Sequence, residues 1–272
     1  MPELPEVECI RLTLLPHILD RSIISVEVFW EKTLSGISPA TLRHKLLNTK
    51  FTDAARRGKF LGLILDTGEY LVFHLRMTGK LSVQPADEER EKHLRLAIRL
   101  DNGHELRFVD QRKFGKVFWA QNEEEWLQIA DVGIEPLSCE FTPESLTAIL
   151  QGKKAQLKAI LLDQRQIAGL GNIYCDESLY RAGLHPQRPC GDLNDNEIER
   201  LHAAIQSSLT TALRNGGTTL RDYLDGDGRP GANQDHLLVY GRAGDSCPRC
   251  GHVFERLRVA GRGTTICPQC QK

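Results

Sequence analysis

Leu4, Val7, Ile10 and Leu14 recur three and four residues apart, the spacing of one buried face of an α-helix. Pro2, Glu3 and Glu6 read as the start of that helix, because proline suits a first turn and acids suit the positive end of the helix dipole. The pattern then becomes strand-like. FLGLILD and YLVFHLR are joined by Asp66-Thr67-Gly68-Glu69, and LRLAIRL and HELRFVD by Asp101-Asn102-Gly103, so each pair predicts a hairpin. IISVEVFW and GKVFWA supply further strands, and the expected result is a β-sandwich with helices packed on it. Around Gly133 the period changes to 3.6. Thr142-Pro143-Glu144 starts a helix, AQLKAILLDQ and NIYCDESLYRAG follow, the latter stopping at Gly183, and a long helix runs from an Asn194 cap to Gly216. FERLRVAGRGTTI alternates basic and apolar residues and reads as a last hairpin.

The pattern therefore predicts an α+β protein in three parts: residues 1–133 as a β-sandwich with flanking helices, 134–225 as a helical domain, and 226–272 as a linker and hairpin. No internal repeat is evident. No stretch is apolar long enough to span a membrane, and no secretory signal opens the chain, so no membrane partner is expected. A net charge of −1 supplies no global attraction for nucleic acid, so any such surface has to be local. Two basic clusters qualify: Lys50, Arg56, Arg57 and Lys59; and Arg242, Arg249, Arg256, Arg258 and Arg262. Either is equally readable as a solvated face.

Cysteines change the picture at one end. Cys247-Pro-Arg-Cys250 and Cys267-Pro-Gln-Cys270 are separated by sixteen residues, a spacing that fits zinc. Each pair forms a knuckle, and two knuckles fill all four tetrahedral positions, so the expected Zn2+ is structural and has no open site. Disulfides would need an oxidising compartment that nothing else suggests. Cys9, Cys139, Cys175 and Cys190 are scattered and read as free thiols. Arg262 lies between Gly261 and Gly263 at the tip of the zinc-pinned hairpin, well placed to fork onto a phosphate.

The other end carries candidate chemistry. Removal of Met1 before the small Pro2 leaves a secondary amine, and an unperturbed α-amino group titrates at about 7.7–8.0. Such an amine attacks carbonyl carbon and gives an iminium that is cationic without further protonation. On these residues alone a helix start remains the commoner reading, and the two are compatible.

The string PELPEVE resembles the start of the formamidopyrimidine-DNA glycosylases, and GLGNIYCDES resembles their helix–two-turns–helix element. GGTTLRDYLDGDGRPG resembles, over Gly217 to Tyr223, the mobile loop that covers an everted base, with Gly216 and Gly217 permitting closure. His74-Leu75-Arg76-Met77-Thr78-Gly79 and Asp110-Gln111-Arg112-Lys113-Phe114-Gly115-Lys116 fit the family's void-filling loops. The resemblance covers essentially the whole chain. One departure is Ala232-Asn233 after Pro230-Gly231, where family members often carry an aromatic pair.

The resemblance implies a bifunctional glycosylase and lyase that excises oxidised purines, such as 8-oxoguanine and formamidopyrimidines, from double-stranded DNA and then cleaves the strand by β,δ-elimination. It implies Pro2 as Schiff-base nucleophile and Glu3 as acid/base partner, with Lys59 and Arg262 also serving catalysis. Lys59, His74, Asn172 and Arg262 would hold phosphates, Asn172 also capping its helix, and Lys158 and Tyr240 would add DNA contacts. Met77 and Phe114 would fill the stack, and Arg112 would read the orphaned base. Taken singly, Met77 and Phe114 read as core residues. A monomer in the bacterial cytoplasm, working at the nucleoid, is expected. Two alternatives stand beside this reading. An enzyme of the endonuclease VIII type is disfavoured by Leu4 and by Arg112-Lys113-Phe114, and a non-catalytic DNA-binding protein by the intact Pro2, Glu3 and Lys59.

Overall fold

The computed structural model describes residues 1–272. Its elements run α1 (Leu4–Ile18), β1 (Ile23–Val28), β2 (Leu34–Ser35), α2 (Pro39–Leu46), β3 (Phe51–Arg57), β4 (Phe60–Leu65), β5 (Tyr70–His74), β6 (Gly79–Pro85), β7 (Leu94–Leu100), β8 (His104–Asp110) and β9 (Lys116–Ala120). There follow α3 (Glu123–Ile129), α4 (Pro143–Leu150), α5 (Leu157–Leu162), α6 (Asn172–Ala182), α7 (Asp195–Arg214), β10 (Glu255–Val259) and β11 (Arg262–Ile266). They group into two compact units, one of residues 1–131 and 215–232, the other of 132–214 and 233–272.

The first unit holds two sheets, of strand order β1-β7-β8-β6 and β2-β9-β5-β4-β3. Both expected hairpins form, and Gly68 and Gly103 take the positive φ that their turns require. Phe73 of β5 and Phe108 of β8 meet edge to face at 5.6 Å, which places the core between the sheets. Leu4, Val7, Ile10 and Leu14 are all buried on α1. Two strands escape the hydrophobic pattern. β3 buries only Phe51 and Ala54, and β6 only Gly79 and Leu81, so both are held by their ladders to β4 and β8 rather than by alternation.

Both sheets connect at one end through a pair of loops. Residues 75–78 carry the chain from β5 in one sheet to β6 in the other, and residues 111–115 carry it back from β8 to β9. Gly79 pairs with Asp110, and His74 pairs with Lys116, so the loops lie side by side.

Segment 215–232 departs from the expected boundary at residue 225. It packs on the first unit because its backbone finds partners there. The N–H of Thr218 donates to Glu6 at 2.8 Å, the N–H of Gly226 donates to Thr13 Oγ1 at 2.8 Å, and the carbonyl of Gly226 accepts from Val83. The segment is closed at its base, where a Cβ on Gly231 would lie 2.1 Å from the carbonyl oxygen of Gly217.

In the second unit two of the expected helices start where their caps predicted. Thr142 accepts from the N–H of Ser145, and Asn194 accepts from that of Glu197, contacts that contribute about 1 kcal/mol each. Gly183 closes α6 in the left-handed conformation. β10 and β11 form the expected hairpin, turned by Ala260 and Gly261, both at positive φ, with Arg262 the first residue of the returning strand.

Candidate functional site

In the first unit the N-terminus is built around two glutamates. Pro2 is buried, and Glu3 is the N-cap of α1 in a reciprocal arrangement with Glu6. The Glu3 carboxylate accepts the N–H of Glu6, and Glu6 Oε2 accepts the N–H of Glu3 at 2.8 Å. Glu6 Oε1 accepts the N–H of Thr218, so one buried carboxylate ties the peptide beside Pro2 to the segment 215–232. Gly216 and Gly217, immediately before that contact, both have positive φ. Tyr223 closes the segment by donating to the carbonyl of Gly216 at 3.0 Å. Cys9 lies beside it, and burial, with Glu6 adding repulsion, pushes its thiol up to about 11. Cys9 therefore stays protonated and is not a nucleophile.

Lys59 sits in the turn between β3 and β4, and His74 ends β5 on the neighbouring strand; both are buried. Phe60 packs edge-on against the His74 ring at 4.5 Å. Burial, then the Arg76 and Lys59 charges, holds His74 down at about 3, so its imidazole is neutral. His74 Nδ1 accepts the N–H of Arg76. Of the basic cluster expected here, Arg56 is committed within the fold, donating to Glu8 at 3.0 Å and to the Gly58 carbonyl.

The two loops at the sheet end carry Met77, Arg112 and Phe114. Met77 is 43% and Phe114 50% exposed, so neither belongs to the core. The Arg112 guanidinium touches both, 3.0 Å from Met77 Sδ and 4.8 Å from the centre of the Phe114 ring. A planar cation against an aromatic face is attracted by the ring quadrupole. Three side chains from two loops thus form one exposed stack.

In the second unit, Asn172 is the first residue of α6 rather than its cap. Gly171 takes the cap position with an extended backbone, and the Asn172 side chain instead donates to the Gly263 carbonyl at 3.0 Å. That bond joins the helix start to the strand carrying Arg262, which is exposed. Lys158 lies on the neighbouring α5. It is fully buried, paired with Asp176 and donating to Thr264 at 2.8 Å, so its amine ties α5 to α6 and β11. Burial outweighs the Lys158 charge and raises Asp176 to about 6. Tyr240 is half-buried in a loop held by Glu177, whose carboxylate accepts the N–H groups of Leu238, Val239 and Tyr240 at 2.8–3.0 Å.

Comparison with known proteins decides what this arrangement belongs to. Residues 1–117 match the formamidopyrimidine-DNA glycosylase N-terminal domain, 132–223 its H2TH domain, and 244–272 the zinc finger found in FPG and IleRS. A formamidopyrimidine-DNA glycosylase of Roseiflexus sp. is 45% identical over 273 residues, the full length of both chains. The chain belongs to the formamidopyrimidine-DNA glycosylase family. Among solved structures, the Lactococcus lactis FPG mutant G226P in complex with Fapy-dG containing DNA is 35% identical and superposes over all of both chains with a TM-score of 0.93. A MutM in complex with carbocyclic 8-oxo-G containing DNA matches at 35% identity and a TM-score of 0.92, again over all of both chains.

The family's zinc finger holds one structural zinc, and the four cysteines fit it. The Sγ atoms of Cys247, Cys250, Cys267 and Cys270 lie within 4.8 Å of one another, with Cys247 and Cys270 at 3.9 Å and Cys250 and Cys267 at 3.4 Å. Tetrahedral zinc at about 2.3 Å from each sulfur sets an S···S distance of about 3.8 Å. Tyr180 supports the site from α6, its hydroxyl 3.2 Å from Cys247 Sγ. No helix is long and apolar enough to cross a membrane.

Several family-site supports carried no sequence signal that distinguished them. Glu6 was legible as an acid at a helix start, but not as the acceptor for Thr218. Asp110, Asp176 and Glu177 are buried carboxylates whose partners lie up to 89 residues away, as Thr265 does from Asp176.

Proposed function

We propose that this chain is a bifunctional DNA glycosylase and lyase that excises oxidised purines, 8-oxoguanine and formamidopyrimidines, from duplex DNA. The supporting observation is the Glu6 carboxylate, which anchors the peptide next to Pro2 and the backbone of Thr218 at once. A nucleophile needs a fixed mount, and this one is tied directly to the segment that resembles the family's base-covering loop.

Removal of Met1, which is half exposed, frees the Pro2 secondary amine. Its nitrogen lone pair attacks C1′ of the everted nucleotide, the C1′–N9 bond breaks, and the base leaves with the bonding electrons and a proton. Glu3 serves the sugar oxygen as the ring opens, and the Pro2 nitrogen becomes an iminium. That cation acidifies C2′, loss of a C2′ proton expels the 3′ phosphate, and a second elimination expels the 5′ phosphate. Water then releases the opened sugar and restores the amine.

Lys59, His74, Asn172 and Arg262 hold phosphates, and Tyr240 adds a DNA contact. Lys59 gives charge, whereas neutral His74 gives an N–H. Met77 and Phe114 enter the stack, and Arg112 donates to the orphaned base. Residues 1–131 with 215–232 serve catalysis, and residues 132–214 with the zinc-pinned hairpin of 233–272 grip the backbone. The enzyme acts as a monomer in the cytoplasm, at the nucleoid.

Borohydride trapping with 8-oxoguanine DNA, followed by peptide mapping, tests the assignment. An adduct on Pro2 is expected, and an adduct on Lys59 would overturn it.

A further inference from the structure

Asp110 ends β8 with its side chain fully buried, at the root of both loops that carry the exposed stack. Its Oδ2 accepts the N–H of Gly115 at 2.7 Å. Its Oδ1 accepts the Thr78 hydroxyl at 2.5 Å and the N–H of Arg112 at 3.2 Å, and the Thr78 oxygen accepts that same N–H at 3.1 Å. One carboxylate therefore binds both ends of the 111–115 loop and the residue following Met77 in the other loop. Arg95, itself buried, donates to the Asp110 carbonyl at 2.9 Å and holds the backbone from behind. The site is crowded, since a Cβ on Gly115 would lie 2.5 Å from Phe108 and 3.2 Å from Asp110 Oδ2.

We propose that Asp110, acting with Thr78, is a positioning residue for opposite-base selectivity, locking the loops of Met77 and of Arg112 and Phe114 into one rigid unit. The inference rests on the proposed reading of those three residues as the void-filling and base-reading group. A guanidinium discriminates bases only if its donors are fixed to within hydrogen-bond tolerance, and a freely moving Arg112 would reach acceptors on either base. Cytosine presents two adjacent acceptors, O2 and N3, on its Watson–Crick edge where adenine presents N1 beside a C2–H, so a guanidinium fixed on both positions gains a second bond only with cytosine and precision of placement becomes selectivity.

Asp110→Asn probes this at constant shape. Two fixed N–H groups, those of Arg112 and Gly115, point at different carboxylate oxygens. An amide has one oxygen, so in either orientation its NH2 faces one of those donors, and one arm of the lock is lost. Thr78→Val removes the hydroxyl at similar volume, and Thr78→Ser retains it.

The experiment is single-turnover excision of 8-oxoguanine opposite cytosine and opposite adenine, with borohydride trapping on a single-stranded abasic oligonucleotide as a reading of the Pro2 chemistry alone. Asp110→Asn and Thr78→Val should each lower the cytosine-over-adenine ratio about tenfold, toward that of Arg112→Ala, a size within the range of one bidentate base contact. Thr78→Ser should keep the ratio, and trapping should stay within about twofold. If Asp110→Asn misfolds, the Thr78 pair decides. A ratio unchanged in Asp110→Asn, or in Thr78→Val where that pair decides, overturns the inference, as does equal slowing opposite both bases. Wild-type protein that traps nothing overturns the glycosylase reading instead, so the two failures are distinguishable.

Discussion

Glu6 accepts the backbone N–H of Thr218 at 2.8 Å across 212 residues of sequence. With its other oxygen on the N–H of Glu3, the side chain works as a two-ended clamp that needs both carboxylate oxygens. Glu6→Gln keeps the shape but turns an NH2 toward one of the two N–H groups. A buried N–H left without an acceptor costs about 1–3 kcal/mol. Excision of 8-oxoguanine should fall roughly tenfold or more, because the mount of Pro2 and the covering segment lose their common anchor. Single-turnover rates check this, and an unchanged rate would mean the clamp has no part in the reaction.

Zinc loss should be local. The hairpin is pinned by Cys247, Cys250, Cys267 and Cys270, whereas the sandwich has its own core. Binding energy at such a site is folding energy for the segment that carries it. Native mass spectrometry should find one zinc per chain. Cys267→Ala should lose zinc and DNA affinity while the sandwich strands keep their hydrogen-exchange protection. Metal-free protein with full DNA affinity would contradict this.

Much of this was readable from local chemistry and the rest was not. Thr142 and Asn194 announce their helices because a cap acts on residues three positions away. The cysteine array announces zinc because all four ligands are in two short motifs. Strand β3 was not legible, since FTDAARR has no alternation and is held by pairing with β4. The burial of Lys158 is illegible for a related reason. A lysine looks the same in sequence whether it faces phosphate or is buried against Asp176, and only the folded chain brings that partner to it. Segment 215–232 was placed by sequence neighbourhood, while its backbone partners Glu6 and Thr13 lie at the other end of the chain.

Salt dependence should separate the phosphate contacts by charge. Each cation that neutralises a phosphate releases counterions, steepening the log–log salt slope by about 0.9 for duplex DNA. Arg262→Ala and Lys59→Met should each flatten the slope by about that amount. His74→Gln should weaken binding without flattening it, because the imidazole is neutral. Titrations between low and moderate salt read this out. A slope change in His74→Gln would mean the ring is protonated on DNA.

The same neutrality makes His74 a pH-dependent element of stability. Its ordinary value is 6.5, and burial with the Arg76 and Lys59 charges lowers it to about 3 in the folded protein. Between those values the unfolded chain binds a proton that the native protein refuses. The contribution of this site is therefore complete above pH 6.5, declines as pH falls, and is gone once pH passes below about 3. Within that window one refused proton corresponds to a slope of about 1.4 kcal/mol per pH unit. Denaturant unfolding of wild type and His74→Gln at several pH values from 7 to 4.5 should show the wild type losing stability more steeply as pH falls, the two curves running parallel above pH 7. Glutamine does not titrate, so the difference between the curves isolates the imidazole from the carboxylates that titrate in the same range. Parallel curves throughout would mean that His74 takes up its proton as readily in the folded state as in the unfolded chain, and that its burial carries no such linkage.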